Sequence, residues 1–297
     1  MGREWKIGDP VDGTTDGWMD AQNWGHGYDD EEDDDENPIN QNDTQRRLYS
    51  KKAWELYMDY KEEEALEYIN LALDLDNMNP NDWNRKAIIL ESLKRYEESE
   101  RCYDESLRIS SNNTVKDNKI RMLYSWAYQM LEESKKLPDG SAKLEKAMQL
   151  CTKAIASHPW KNSKEKIERY FKLKESIEFY INYEKTYQKN LKTVKRYPKE
   201  ELITVTGRNF CKTNIDLTPG MTLRLVREPD NEFDSDAIAV YAWDEKIGYV
   251  ANRDYTKFEL TSKASDVKDR ISNECKAEYI CYLDRYAEIQ FNIARLL

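Results

Sequence analysis

The chain has 297 residues, enough for about two domains of ordinary size. Charged residues make up 35% of it, mean hydropathy is −0.94, and no apolar run approaches the ~20 residues that span a bilayer, so an integral helical membrane protein is excluded. Five scattered cysteines (Cys102, Cys151, Cys211, Cys275, Cys281) form no CxxC pair, so neither a disulfide framework nor a structural zinc site is expected, and a reducing cytoplasm fits best.

Charge is unevenly spread. Residues 1–44 hold 14 acidic and 2 basic residues, a net of −12. Their Gly, Asn and Asp content and the run Asp29–Glu36 predict a disordered acidic tail. Met1–Gly13 has no apolar h-region, so no secretory leader is expected. Trp5, Trp18, Trp24 and Tyr28 stand among the acids, and such a tail either solubilises or competes with an anionic ligand for basic surface elsewhere in the chain. Residues 161–200 carry 12 basic and 6 acidic residues, and residues 201–297 carry 13 and 17, so the chain is charged in segments.

Residues 45–160 contain an internal repeat. Ala53, Ala65, Ile69 and Ala72 recur as Ala87, Ser99, Tyr103 and Ser106, each 34 residues on, and Tyr49 recurs as Trp83. Small residues at these places let two antiparallel helices approach closely. The pattern resembles the tetratricopeptide repeat, a helix–turn–helix of this length. A third copy has Ala147, Cys151 and Ala154 in its second helix, Pro159 as its terminal proline and Ala127 in its first helix. It is lengthened around Lys135–Lys143, where Leu137-Pro-Asp-Gly140 signals a turn. The resemblance implies an all-α solenoid whose groove takes a protein or peptide partner. Residues 161–198 follow as basic capping or linker helices. Ile167, Tyr170, Phe171, Leu173, Ile177, Tyr180, Ile181, Tyr183, Tyr187 and Leu191 form a helical stripe over Ser163–Val194. Its lysines either solvate the outer face or meet phosphates.

From residue 199 to 297 the period changes to that of strands. Leu202–Thr206, Met221–Val226, Ala237–Ala242, Lys246–Ala251, Glu278–Leu283 and Ala287–Ile293 have strand length and composition, with Asp284-Arg285-Tyr286 as a short connection. Arg253–Ile271 is the one helix-length insertion. Five or six short strands around a small helix predict a compact barrel.

Within it lies Leu225-Val-Arg-Glu-Pro-Asp-Asn-Glu-Phe-Asp-Ser-Asp-Ala-Ile-Ala-Val240, then Lys246-Ile-Gly-Tyr-Val250. Pro229 ends a strand, because it has no N–H for the ladder. Asp230 and Asn231 favour a turn, and Gly248 permits a bulge or a close backbone approach. This stretch resembles the HIRAN domain, marked by Arg-(Asp/Glu)-Pro-x-Asn-x-(Tyr/Phe)-Asp-x-(Asn/Asp)-Ala-Ile-x-Val and a following Gly-Tyr or Gly-His strand. Thr206-Gly-Arg-Asn-Phe210 resembles its opening element. The resemblance implies an OB-like or SH3-like β-barrel that binds without chemistry of its own and captures the free 3′ end of single-stranded DNA, a setting tied to DNA repair. By position, Arg208 and Phe210 lie near the family's Arg-aromatic element. Asn231 and Asp234 match the Asn and Asp that in the family reach the terminal nucleotide, where an Asp accepts the 3′-hydroxyl proton, and Phe233 matches the aromatic between them. Tyr249 stands at the His or Tyr position, and Asn252 or Arg253 where a basic residue meets phosphate. Arg227 opens the motif.

A second reading stays open at these residues. Asn231, Asp234 and Asp236 are spaced to fasten a loop, and Arg227 suits an ordinary ion pair. The opening element has Asn209-Phe210-Cys211 where relatives have two adjacent aromatics. No Walker A or other Gly-rich phosphate loop occurs, and the two histidines, His26 and His158, form no catalytic constellation. The expectation is therefore a non-enzymatic α+β multidomain protein with no cofactor. Its helical repeats recruit a protein and its barrel holds single-stranded DNA; the alternative is a repeat scaffold in which the barrel is accessory.

Overall fold

In the computed structural model, residues 41–161, 164–211, 215–286 and 289–297 are described, with the side chains of 164–166 left aside. The acidic-tail expectation thus lies outside the described residues, except at its end. There α1 (Gln41–Met58) already begins, because Asp43 accepts bonds from Arg46 and Arg47 one turn further on.

Helices α1 and α2 (Glu62–Leu75) make one hairpin, and α3 (Pro80–Ser92) and α4 (Tyr96–Ile109) make the next. Their turns are copies. Tyr60 and Lys94, 34 residues apart, both take the left-handed conformation. The following amides of Lys61 and Arg95 reach back to the carbonyls of Leu56 and Leu90, closing each helix end. Asn79 caps α3 by accepting from the amides of Asn81 and Asp82, and Pro80 follows at the first helical position. Ala53, Ala65, Ala72, Ala87, Ser99 and Ser106 are fully buried, as close helix packing requires. Where the repeat has serine for alanine, the hydroxyl has a partner: Ser99 donates to the Ala87 carbonyl (2.8 Å) and Ser106 to that of Pro80 (2.7 Å).

The 34-residue register continues into α5 (Asn113–Lys135), where Asn118 donates to Asn84. α5 is 23 residues long against 13 for α3, so the extra length of the third copy is taken up mainly as helix. Helices α6 (Ser141–Ser157) and α7 (Lys164–Val194) follow. By contact density the chain divides in two: one unit ends at Gln129 and takes in Lys146–Ser176, and the other joins Met130–Glu145 to Ile177–Leu297.

In the second unit, six antiparallel strands close a barrel: β1 (Leu202–Thr206), β2 (Thr222–Arg227), β3 (Ile238–Ala242), β4 (Glu245–Val250), β5 (Glu274–Arg285) and β6 (Ile289–Leu296). The order is β1-β4-β3-β2-β5-β6, with β6 pairing back to β1. Ile203, Val205, Leu223, Leu225, Ile238, Val240 and Ile247 fill it. β5 runs on through Arg285, so the connection to β6 starts later than the sequence suggested. The 253–271 insertion is mostly irregular, with a single α-helical turn, α8 (Ala264–Val267). Its backbone is tied to strands instead: the Phe258 amide donates to Thr204 Oγ1, that of Ser262 to the Leu202 carbonyl and that of Ala264 to the Ala251 carbonyl. Thr204 and Thr261, both buried, share a hydroxyl bond (2.8 Å).

The end of α7 belongs to this unit. Tyr187 and Val194 share a core with Leu202, Phe258, Leu283 and Ile293. Glu184, 1% exposed, accepts from Arg285 Nε (3.2 Å), the Tyr286 hydroxyl (2.6 Å) and Gln188 Nε2 (2.7 Å), while Arg285 also donates to the Leu137 carbonyl.

Candidate nucleic-acid interface

Between β2 and β3 the chain crosses residues 228–237. Pro229 ends the ladder and backbone bonds fold the loop: Glu228 to Ala237, Asn231 to Glu228 and Ala237 to Asp234. Asn231 Oδ1 accepts from the amides of Phe233 (3.0 Å) and Asp234 (3.2 Å), and its Nδ2 donates to Glu228 Oε2 (3.0 Å). Asp234 Oδ1 accepts from the Asp236 amide (2.9 Å), and Asp236 pairs with Lys268 just after α8. The Asp236 carboxylate holds the Lys268 ammonium above its ordinary range. Loop fastening is therefore part of what Asn231, Asp234 and Asp236 do.

Besides the Asp236–Lys268 pair, a second bond in this group reaches outside the loop. Asn252, just after β4, donates to Asp234 Oδ2 (2.8 Å) while its Oδ1 accepts from the Ser265 amide (2.9 Å). Each Asp234 oxygen thus accepts one bond among the described residues and has lone-pair capacity for another. Phe233, between the two fastened residues, is 92% exposed.

Beside the loop, Lys246 Nζ donates to Glu228 Oε1 (2.7 Å) and Tyr249 Oη (2.6 Å), and the Tyr249 hydroxyl donates to Glu228 Oε2 (3.2 Å). Burial acts to raise the Glu228 carboxyl, but the bonds from Lys246, Asn231 and Tyr249 outweigh it and hold it below the usual range. Burial likewise acts to lower Lys246, and Glu228 and Tyr249 reverse that. Tyr249 is also fixed by Gly248: a Cβ there would lie 2.3 Å from the Thr206 carbonyl oxygen, so only glycine admits this approach of β1 to β4. Past β1, Gly207 (φ +76°) opens the short turn Arg208–Phe210, which leaves Phe210 89% exposed.

Asn231, Phe233, Asp234 and Asn252 are thus brought together, with Tyr249 beside them. Arg253 follows Asn252 and is exposed, with no side-chain hydrogen bond among the described residues. Arg227 ends β2 near Lys268, also without a side-chain bond among the described residues. Arg208 is drawn elsewhere: its Nη2 donates to the Ile215 carbonyl (2.5 Å). The sequence reading missed Glu228 and Lys246, whose role depends on a 2.7 Å pairing across 18 residues. It also missed Tyr255, 80% exposed, whose signal was an aromatic two residues after Arg253. Among the described residues no group of three or more His, Cys, Asp or Glu is placed to hold a metal, and no helix is long and apolar enough to cross a membrane.

Fold and site together define a helical-repeat array followed in the chain by a closed six-stranded barrel. Residues 202–280 match the HIRAN domain family. The uncharacterized protein MJ0572 of Methanocaldococcus jannaschii is 33% identical over 78 residues, 26% of this chain and 91% of that protein. The chain belongs to the HIRAN-domain family, whose membership implies nucleic-acid binding. Among solved structures, the helical region is similar to the Yersinia enterocolitica type III secretion chaperone SycD in complex with a peptide of the translocator YopD (18% identity, 46% of this chain and 94% of that one, TM-score 0.32). MamA of Desulfovibrio magneticus RS-1 is a further neighbour (17% identity, 45% and 95%, TM-score 0.27).

Proposed function

We propose that the barrel holds the 3′-hydroxyl end of single-stranded DNA against the 228–237 loop, and that the helical repeats recruit a protein partner. One observation carries the first part: Phe233, an aromatic side chain left 92% exposed, sits on a loop fastened on either side of it by Asn231 and Asp234. A phenyl ring held out on a fastened loop presents an open face, on which an unpaired base stacks with ~1–3 kcal/mol and without sequence preference. Asp234 supplies the selectivity. Its carboxylate repels internal phosphates and accepts a hydrogen bond from a terminal hydroxyl. The net −4 of residues 201–297 weakens long-range attraction to a phosphate backbone, so on this reading the affinity comes from the local contacts at the loop. For the helical region, the repeated hairpins supply the extended surface on which such arrays bind proteins.

Fluorescence anisotropy of the whole chain tests this, with matched single-stranded oligonucleotides ending in 3′-hydroxyl or 3′-phosphate. Tighter binding to the hydroxyl end, lost in Asp234→Ala, is expected. Equal binding to both ends refutes end recognition. A matched RNA probe reports the choice of sugar.

A further inference from the structure

Starting from that reading of the site, we infer that the bound strand continues from Asp234 across Arg253 and Tyr255, and that Tyr255 is a second stacking surface. Its occupant is the next unpaired base or bases on the 5′ side of the terminal nucleotide.

Tyr255 sits on a tight turn whose backbone is held while its ring is not. The Thr256 amide and hydroxyl both bond the Arg253 carbonyl (3.0 and 2.9 Å), and the ring is 80% exposed. Asn252 fixes where this turn lies, because it bonds Asp234 on one side and the Ser265 amide on the other. Tyr255 is three residues on from Asn252, so their Cα atoms are at most about 11 Å apart. The aromatic ring therefore lies within reach of the second or third base of a strand that ends at Asp234.

The charges choose this direction. Asp254 stands between Arg253 and Tyr255, but Lys263 pairs with it (3.0 Å) and holds its carboxyl below the usual range. Arg253 keeps its guanidinium available. On the Phe210 side, among the described residues, Arg208 donates to the Ile215 carbonyl and Lys246 pairs with Glu228. Lys257 likewise turns inward to the carbonyls of Phe258 and Thr261. Arg253 is an exposed cation two residues from the exposed Tyr255, and a cation near an aromatic ring is the composition of a single-strand track.

The experiment uses the full chain and 3′-hydroxyl oligothymidylates of two and six nucleotides, the shorter read by competition. Tyr255→Ala should weaken the six-nucleotide probe by about 5- to 150-fold, the range expected for one stacked base, and leave the two-nucleotide probe within about twofold. Tyr255→Phe should restore binding. Arg253→Ala should lower the salt slope for the longer probe by about one. Circular dichroism confirms that these exposed substitutions leave the fold intact. An unchanged six-nucleotide affinity in Tyr255→Ala, with Phe233→Ala still weakening it, would overturn the proposed track and keep the end site. Failure of the wild-type chain to bind either probe would overturn both.

Discussion

Asn231 is where loop fastening and ligand contact separate most cleanly. Asn231→Ala removes two acceptor bonds, at 3.0 and 3.2 Å, and one donor bond at 3.0 Å. A neutral hydrogen bond contributes about 0.5–1.5 kcal/mol net, so three fully buried ones would give ~1.5–4.5 kcal/mol. Phe233 is exposed and water replaces part of the loss at its amide, which brings the local cost to about 1–2 kcal/mol. That predicts roughly 5- to 30-fold faster hydrogen exchange at the Phe233 and Asp234 amides. Asn231→Asp behaves differently. It keeps both acceptor bonds, so these amides stay protected, but it loses the donor to Glu228 and sets two carboxylates about 3 Å apart. The proton or a displaced Lys246 must then absorb the repulsion. Nucleotide affinity should fall in both variants, in the alanine variant because the loop loosens and in the aspartate variant because of added charge. Unchanged exchange at the two amides in Asn231→Ala would refute the loop argument.

Three other outcomes test the barrel. Gly248→Ala should cost at least about 1–3 kcal/mol, because its Cβ meets backbone and not a movable side chain; a melting temperature equal to wild type would count against this. Glu184→Ala leaves Arg285 buried without its carboxylate and should cost about 3–5 kcal/mol in denaturant unfolding followed by exchange over residues 202–297, with Arg285→Met in the same background recovering much of it. At high pH, the hydrogen bond to Asp284 pushes Tyr183 up to about 12, and burial raises Tyr279 and Tyr286. The neutral phenol is the favoured form in the fold, so this contribution is complete below pH ~10, the unfolded value, and drains away as pH rises through 10 to 12. Unfolding free energy that stays level across that window would contradict the assignment.

The repeat was legible in the sequence because helix contact recurs every 34 residues, and small side chains at Ala53, Ala65, Ala72 and their copies report it directly. Strands were legible for a similar local reason, since Leu202–Thr206 and Ala237–Ala242 are short β-branched or apolar runs set between turn residues. The motif from Arg227 to Val240 named the loop, and Pro229 and Asn231 predicted its turn. None of these signals reaches across the chain. Only the tertiary fold brings Asn252 to Asp234, Lys246 to Glu228 and Thr261 to Thr204, because each pair is 18 or more residues apart and neither partner changes the local pattern. The same holds for Glu184 and Arg285, 101 residues apart. In sequence they are two charges of the kind that usually face water. Burial and mutual hydrogen bonding turn them into a joint between α7 and the barrel. Local periodicity determines which elements form, and the tertiary fold decides which polar groups lose water together and so become a site.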